Sequence, residues 1–249
     1  MRFIFTILLA SLSSLLFAQD EIIDDPLMED IRFEDQADGY FGLHVAVPMA
    51  GMKAATKNKM GDNGYGFTLQ VLSNPHTWGS NKRNGPFRLG GELGYTYYGR
   101  FIQDVNINGF NGSYKTSHGM VTLNAVARVR PPVNERFVPF LDLFAGGDFY
   151  LSRIRENLSA IESGLGIQPL DLASSSSVSF TRGVAAGFSV APKNKDGVRI
   201  YFRGSYNKGT SIKYIERYSM AYDPDKNAIT YRMGKAPVSY WMFTVGVGI

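Results

Sequence analysis

The sequence predicts an all-β protein: a closed antiparallel transmembrane β-barrel of eight strands, joined as an up-and-down meander. Eight segments between residues 39 and 249 alternate apolar residues with polar or small ones, and short and long connectors alternate between them. A strand that crosses a bilayer needs about 9–11 residues. Because lipid offers backbone groups no hydrogen-bond partner, such a sheet must close on itself. The last segment shows the pattern most clearly, with apolar residues at every second position from Trp241 to Ile249.

Each predicted strand presents an apolar outward face and ends at turn-forming residues. In the first strand this face comprises every second residue from Phe41 to Val47. The fourth strand ends before Pro131 and Pro132, because proline donates no ladder hydrogen bond. The strands are predicted, in order, at 39–49, 64–73, 87–100, 117–130, 137–152, 178–191, 198–214 and 237–249.

The connectors place both termini of the predicted barrel at the same end. Transmembrane barrels have short turns on the periplasmic side and longer loops on the extracellular side. The predicted periplasmic turns are 74–86, 131–136 and 192–197, and the predicted extracellular loops are 50–63, 101–116, 153–177 and 215–236. Within the longest loop, residues 155–165 are predicted to form a short helix.

Two segments precede the predicted barrel of residues 39–249. Residues 1–19 are typical of a signal peptide: Arg2, an uncharged run over 3–17, and a small-residue cleavage site. Residues 20–38 are predicted to be a periplasmic tail with nine acids and one base. Of the chain's 26 bases and 22 acids, 24 bases and 13 acids remain once that segment and Arg2 are set aside. The acidic tail is therefore expected to dock on the basic periplasmic rim. The alternatives are that it binds a periplasmic or membrane protein partner in the envelope, or that it is a solvated disordered segment. The rim residues are Lys82, Arg83, Arg136, Lys193 and Lys195.

Composition also excludes several kinds of site. The chain has no cysteine, which rules out disulfides, thiolate metal sites and a lipid-modified N-terminal cysteine. It shows no metal-ligand spacing, no phosphate-binding glycine motif and no nucleotide fingerprint. We therefore expect no cofactor and no nucleic-acid partner.

Over residues 39–249 the chain resembles the small eight-stranded outer-membrane barrels of the OmpA and OmpX type. The last strand is also similar to the signal that such proteins show to the barrel-insertion machinery, although Ile249 stands where an aromatic residue is usual. The resemblance implies export to the outer membrane, contact with its lipid, and a structural or interaction role without enzymatic activity. A soluble β-sandwich or lipocalin-like barrel would also alternate, and it is the competing fold.

The inward faces of the predicted strands carry charged and polar residues. Eight strands enclose only enough space for side chains to fill, and a buried charge needs a partner. Glu92, Asp142 and Asp148 are expected to pair with Arg128, Arg199 and Arg203. A narrow anion path is the alternative interpretation. The predicted lumen network consists of His44, Arg88, Glu92, Arg128, Asp142, Asp148, Arg199 and Arg203.

Two further groups of residues bear on function. Basic residues in the outer loops are expected to contact lipopolysaccharide phosphates: Lys53, Lys57, Lys59, Arg153 and Arg155. For catalysis, the chain offers only His44, His76 and His118. Adjacent residues of a strand point to opposite faces, so Ser117 and His118 cannot cooperate directly. Two alternative functions remain beside an interaction role. The first is a small channel, or a transport-accessory barrel of a secretion or assembly machinery. The second is a barrel enzyme that modifies lipid or lipopolysaccharide.

Overall fold

In the computed structural model, eight antiparallel strands close into a barrel. The structure describes residues 38–56, 62–75, 85–107, 110–131, 136–157, 171–191, 198–226 and 228–248. The elements in chain order are β1 (Asp38–Pro48), α1 (Ala50–Thr56), β2 (Gly64–Ser73), β3 (Phe87–Ile107), β4 (Phe110–Val129), β5 (Phe137–Glu156), β6 (Asp171–Val190), β7 (Ile200–Ile215), β8 (Ala221–Asp223), β9 (Ala228–Thr230) and β10 (Met233–Gly248).

Each barrel strand pairs with its neighbour in sequence, apart from the small hairpin inserted between β7 and β10. The barrel closes where β1 pairs with β10, from Tyr40 opposite Gly248 to Pro48 opposite Tyr240. The short strands β8 and β9 pair only with each other. This topology confirms the predicted eight-stranded up-and-down barrel.

The outer wall of the barrel is apolar, whereas its interior carries charges. Leu43 and Leu143 expose 68% and 64% of their surface on the outside, while Arg128 and Asp142 are buried within. A water-soluble barrel would show the opposite distribution, so the soluble alternative is wrong. A closed barrel with this apolar band spans a membrane with its strands. Among the described residues, no helix has the length and apolar character needed to cross a bilayer.

The two ends of the barrel differ in their connections. The terminal end carries Asp38 and Gly248 together with the connections β2–β3, β4–β5 and β6–β7. The loop end carries the opposite connections, which include α1 and the β8–β9 hairpin.

At the tip of the β8–β9 hairpin, a hydrogen bond from the Lys226 side chain lowers the pKa of the Asp223 carboxyl below its usual value.

Several strands extend further toward the loop end than the sequence predicts. Only residues 108–109 separate β3 from β4, so the predicted loop at 101–116 is wrong. Likewise, β5 reaches Glu156 and β6 begins at Asp171, inside the predicted loop 153–177. A strand that stands in water needs no apolar outward face, so its sequence does not alternate as a membrane strand does. Of the predicted helix at 155–165, residues 155 and 156 belong to β5 and 158–165 lie outside the described residues.

Candidate functional site in the barrel lumen

An ion-pair network centred on Asp142 fills the terminal half of the lumen. Arg128 binds this carboxylate with a two-pronged contact, Nε to Oδ1 at 2.7 Å and Nη2 to Oδ2 at 3.1 Å. Arg203 donates from Nε to the same Oδ2 at 2.9 Å, and its Nη1 lies 2.9 Å from Glu92 Oε2. These side chains are at most 1% exposed. Such geometry offsets part of the large cost of taking charges out of water.

Amide side chains satisfy the remaining carboxylate oxygens of this network. Glu92 accepts hydrogen bonds from Gln70 Nε2 at 3.2 Å and from Asn124 Nδ2 at 3.1 Å. The oxygen of the Gln70 amide accepts in turn from Arg128 Nη2. Gln70 and Asn124 therefore join the arginines and carboxylates into one connected polar network.

Asp38 is a third carboxylate in this network, although the sequence places it in the tail of residues 20–38. Its Oδ2 lies 3.0 Å from Arg130 Nη1 and 3.7 Å from Arg128 Nη1. Tyr201 donates its hydroxyl hydrogen to the other oxygen of Asp38. The residue belongs to β1, where it pairs with Leu72 of β2. The barrel therefore starts one residue earlier than predicted, and that residue supplies a charge to the lumen.

Aromatic rings line the arginines of the network. The Arg128 guanidinium carbon lies 3.8 Å from the centre of the Phe140 ring, and that of Arg203 lies 5.3 Å from the Phe144 ring. Gly187 leaves room for the first ring, since a Cβ there would lie 2.5 Å from Phe140 Cζ. These contacts hold the arginines in an apolar setting where their charge is attracted to the ring faces.

Two other predicted network residues lie near the terminal rim. Arg88 is buried and donates from Nη1 to the Gly85 carbonyl at 2.7 Å and to the Phe87 carbonyl at 2.9 Å. Arg199 is partly buried and donates to Ser189 Oγ at 3.0 Å. The structure thus gives both arginines neutral oxygen partners.

The loop half of the lumen is polar but contains much less charge. His44 lies between two threonines, with Nδ1 2.7 Å from Thr68 Oγ1 and Nε2 2.9 Å from Thr96 Oγ1. Asp148 is fully buried and accepts a hydrogen bond from the Tyr240 hydroxyl at 3.3 Å. No described arginine or lysine forms an ion pair with Asp148. It therefore lies outside the arginine lattice that the sequence predicts for it.

Helix α1 plugs the loop half of the lumen. Met52 and Ala55 on the helix are buried in an apolar cluster with wall residues. The Tyr150 hydroxyl donates to the Ala55 carbonyl at 3.0 Å. A Cβ at Gly51 would lie 2.6 Å from Pro237, so glycine permits the helix to approach β10 closely. The wall residues of this cluster include Tyr98, Met120, Tyr150, Tyr214, Tyr240 and Met242.

A second apolar cluster lies beyond the plug, between the extended strands. It joins residues from β3, β4, β5 and β7 with Met220, which precedes β8. The Gln103 side chain also donates to the Met220 carbonyl at 2.9 Å, which ties β3 to this segment. The members are Phe101, Val105, Tyr114, Ile154, Ile215 and Met220.

A histidine–serine pair lies at the edge of this region. His118 Nδ1 is 2.9 Å from Ser152 Oγ, across the β4–β5 pairing, and both residues are buried. Nε2 of His118 has no hydrogen-bond partner among the described residues. Ser152 also borders a cavity of about 600 Å³ lined by residues 151–153 and 172–176. Sequence reasoning could not find this pair, because the partner of His118 is set by strand register.

The structure describes three of the residues predicted to contact lipopolysaccharide. Lys53 is exposed on α1, Arg153 is exposed on the outward face of β5, and Arg155 is partly buried. Lys57 and Lys59 lie outside the described residues, as does His76. In the described part of the chain, no group of three or more histidine, aspartate or glutamate side chains is placed to hold a metal ion.

Comparison with known proteins finds similarity only among solved structures. No protein-family model matches the chain, and no curated protein matches its sequence. Among solved structures, the chain is similar to a major outer membrane protein of Thermus thermophilus, with 11% identity, a TM-score of 0.43, and coverage of 84% of this chain and 98% of that one.

Two further solved structures show a comparable level of similarity. Ail, the attachment invasion locus protein of Yersinia pestis, in complex with sucrose octasulfate, has 14% identity, a TM-score of 0.42, and coverage of 86% and 97%. The outer membrane protease OmpT of Escherichia coli has 11% identity, a TM-score of 0.37, and coverage of 85% and 94%. The closed pairing of the strands and the apolar outer wall establish that this chain is a small eight-stranded transmembrane barrel.

Proposed function

We propose that this chain is an outer-membrane barrel that neither conducts solutes nor catalyses a reaction, and that acts through its loop-end surface. The observation that carries this proposal is the filled lumen. The ion-pair network occupies the terminal half, and α1 with its apolar cluster occupies the loop half. A solute would have to displace both, and displacing the first would separate buried ion pairs.

The length of the strands supports a role outside the bilayer. β4, β5 and β6 have 20 residues each and β3 has 21. Since about 9–11 residues cross the hydrocarbon core, roughly half of each strand extends beyond it. These extensions contribute to the second apolar cluster, and β3 contacts β8 of the hairpin between β7 and β10. A preformed surface of this kind suits binding to another envelope component or to an external partner.

Cysteine labelling tests the orientation of the barrel. The chain has no cysteine, so each single-cysteine variant reports one position. Asp104→Cys, exposed on the extension of β3, should react with a membrane-impermeant maleimide on intact cells. Arg136→Cys, exposed at the terminal end, should react only after the outer membrane is opened. The reverse pattern would overturn the proposed orientation.

Conductance in planar bilayers tests the filled lumen. The purified barrel is expected to give no current steps in molar salt. Deletion of residues 50–56 should leave the conductance at zero, because the network around Asp142 remains. Defined current steps from the unaltered protein would instead support a channel.

The alternative function that a specific observation supports is that of a lipid-modifying enzyme. The His118–Ser152 pair borders a cavity, which is the arrangement that an activated serine requires. No described carboxylate hydrogen-bonds His118, so the pair lacks a third group to orient the imidazole. We expect the outer-membrane lipid A profile, measured by mass spectrometry, to be the same in cells that express wild type or Ser152→Ala. A lipid species present only with wild type would establish the enzyme.

A further inference from the structure

Pairs of basic residues lie directly opposite each other on the outer wall. Arg182 of β6 is the register partner of Lys208 of β7, and Lys213 of β7 is the partner of Lys235 of β10. All four are exposed. Like charges at such positions are about 4.5–5.5 Å apart at Cβ and destabilise the sheet. Their placement therefore calls for a compensating anion.

The described part of the protein does not supply that anion. None of these four residues forms an ion pair with a described carboxylate. Their nearest outward neighbours on the same strands are largely apolar. Phe180 lies two positions before Arg182 and Val184 two positions after it, and they expose 61% and 54% of their surface.

Aromatic residues place this patch near the edge of the apolar band. Tyr206 precedes Lys208 by two positions and faces Trp241 of β10 at a ring distance of 5.1 Å. Aromatic side chains mark the interfaces of transmembrane barrels. Cations at that depth meet the charged head groups of the lipid while their stems lie along apolar surface.

The barrel wall also changes beside the first basic pair. Pairing between β6 and β7 ends at Thr181 opposite Gly209. Toward the loop end the two strands are joined through hydroxyl groups: Ser177 Oγ accepts from the Lys213 backbone N–H at 2.9 Å, and Ser179 Oγ donates to the Thr210 carbonyl at 3.0 Å. Arg182 and Lys208 therefore stand at the base of a polar seam in the wall.

We propose that Arg182 and Lys208 bind the phosphate of a phosphorylated lipid in the leaflet near the loop end. Lys213 and Lys235 extend the same positive patch toward the head group. The acyl chains of that lipid would cover Val184, which lies on the terminal side of Arg182. Arginine and lysine are the side chains that proteins use for phosphate, and the apolar flanks favour a lipid over a free anion.

Native mass spectrometry of the purified full-length barrel tests this proposal. The probes are diphosphoryl lipid A and the same lipid after removal of both phosphates. Wild type should bind the phosphorylated form at least tenfold more tightly than the dephosphorylated form. Arg182→Gln/Lys208→Gln should lose this preference and bind both forms equally. Millimolar inorganic phosphate should not displace the bound lipid.

Matched variants separate the loss of the site from other effects. Arg182→Lys/Lys208→Arg keeps both charges and should retain the preference. Arg136→Gln/Lys226→Gln removes two exposed charges elsewhere and should also retain it. Each variant is compared only after its unheated form migrates as a folded barrel on a gel. Equal binding of the two lipids by wild type, full binding by the glutamine variant, or displacement by inorganic phosphate would overturn the proposal.

Discussion

The two halves of the lumen bury carboxylates in different ways. In the terminal half, Asp38, Glu92 and Asp142 each contact an arginine. In the loop half, Asp148 is fully buried, accepts a hydrogen bond from the Tyr240 hydroxyl and forms no ion pair with a described arginine or lysine. The first half is held by charge pairs with several contacts each, and the second by packing around α1.

This difference indicates which half can open. A seven-residue helix is too short to be stable alone, so α1 depends on its contacts with the barrel wall. Those contacts are the burial of Met52 and Ala55 in the apolar cluster and the hydrogen bond that Tyr150 donates to the Ala55 carbonyl. By contrast, separating Arg128 or Arg203 from Asp142 leaves a charge without compensation in an apolar setting. We therefore regard the terminal half as the rigid part of the lumen and α1 as its removable part.

Asp142→Asn should have the largest effect on stability. The substitution removes the charge that two buried arginines share and is expected to cost about 3–5 kcal/mol. The measurement is urea unfolding of the barrel in lipid vesicles, supported by the temperature at which the fast-migrating unheated gel band is lost. Asp104→Asn, at an exposed carboxylate, is the control and should change stability by less than about 0.5 kcal/mol. Equal effects would show that the lumen network does not stabilise the fold.

Met52→Ala should weaken the loop half without altering the terminal half. Truncating a buried methionine costs about 2–5 kcal/mol, and the low end is expected because α1 can shift into the space. The neighbouring exposed Lys53 provides the control, since Lys53→Ala removes a side chain of similar length from the same helix. Limited proteolysis within residues 49–57 should accelerate for the first variant only. A uniform loss of protection across β7 and β10 would contradict a separable plug.

The membrane part of the fold could be predicted from the sequence because lipid imposes a period of two. β2 is predicted with both ends correct, and β1 is displaced by one residue at each end. Outside the bilayer that constraint disappears. The extension of β3 carries Gln103, Asp104 and Asn106, which are typical of a loop, and the first residues of β6 include a serine run.

The contacts within the lumen could be predicted only as a set of inward residues. The alternating pattern places both Asp142 and Asp148 on the inward face of β5, because they lie six positions apart along that strand. Which of them meets an arginine depends on tilt and register, and these follow from pairing across several strands. Helix α1 could not be predicted for another reason: its sequence is short, and its stability comes from burial in the lumen.

Tyr150→Phe should have a smaller effect on the plug than Met52→Ala. It removes the hydrogen bond to the Ala55 carbonyl and keeps the ring in the cluster, for an expected loss of about 0.5–1.5 kcal/mol. The measurement is hydrogen exchange of the α1 amides in detergent. Tyr218→Phe, at an exposed tyrosine, is the control and should leave the exchange unchanged. Unchanged protection in the first variant would mean that packing alone holds the helix.

Asp148→Asn should have the smallest effect and gives the sharpest test of the difference between the halves. It makes the same chemical change as Asp142→Asn on the same strand. Asparagine keeps an oxygen that can accept from Tyr240 and removes a buried charge that has no described cation beside it. Because burial of an unpaired carboxylate is costly, stability should stay within about 1 kcal/mol of wild type or rise. The same urea titration provides the measurement, with Asp142→Asn in parallel. A loss as large as that of Asp142→Asn would require a cation beside Asp148, and the loop half would then be stabilised by charge in the same way as the terminal half.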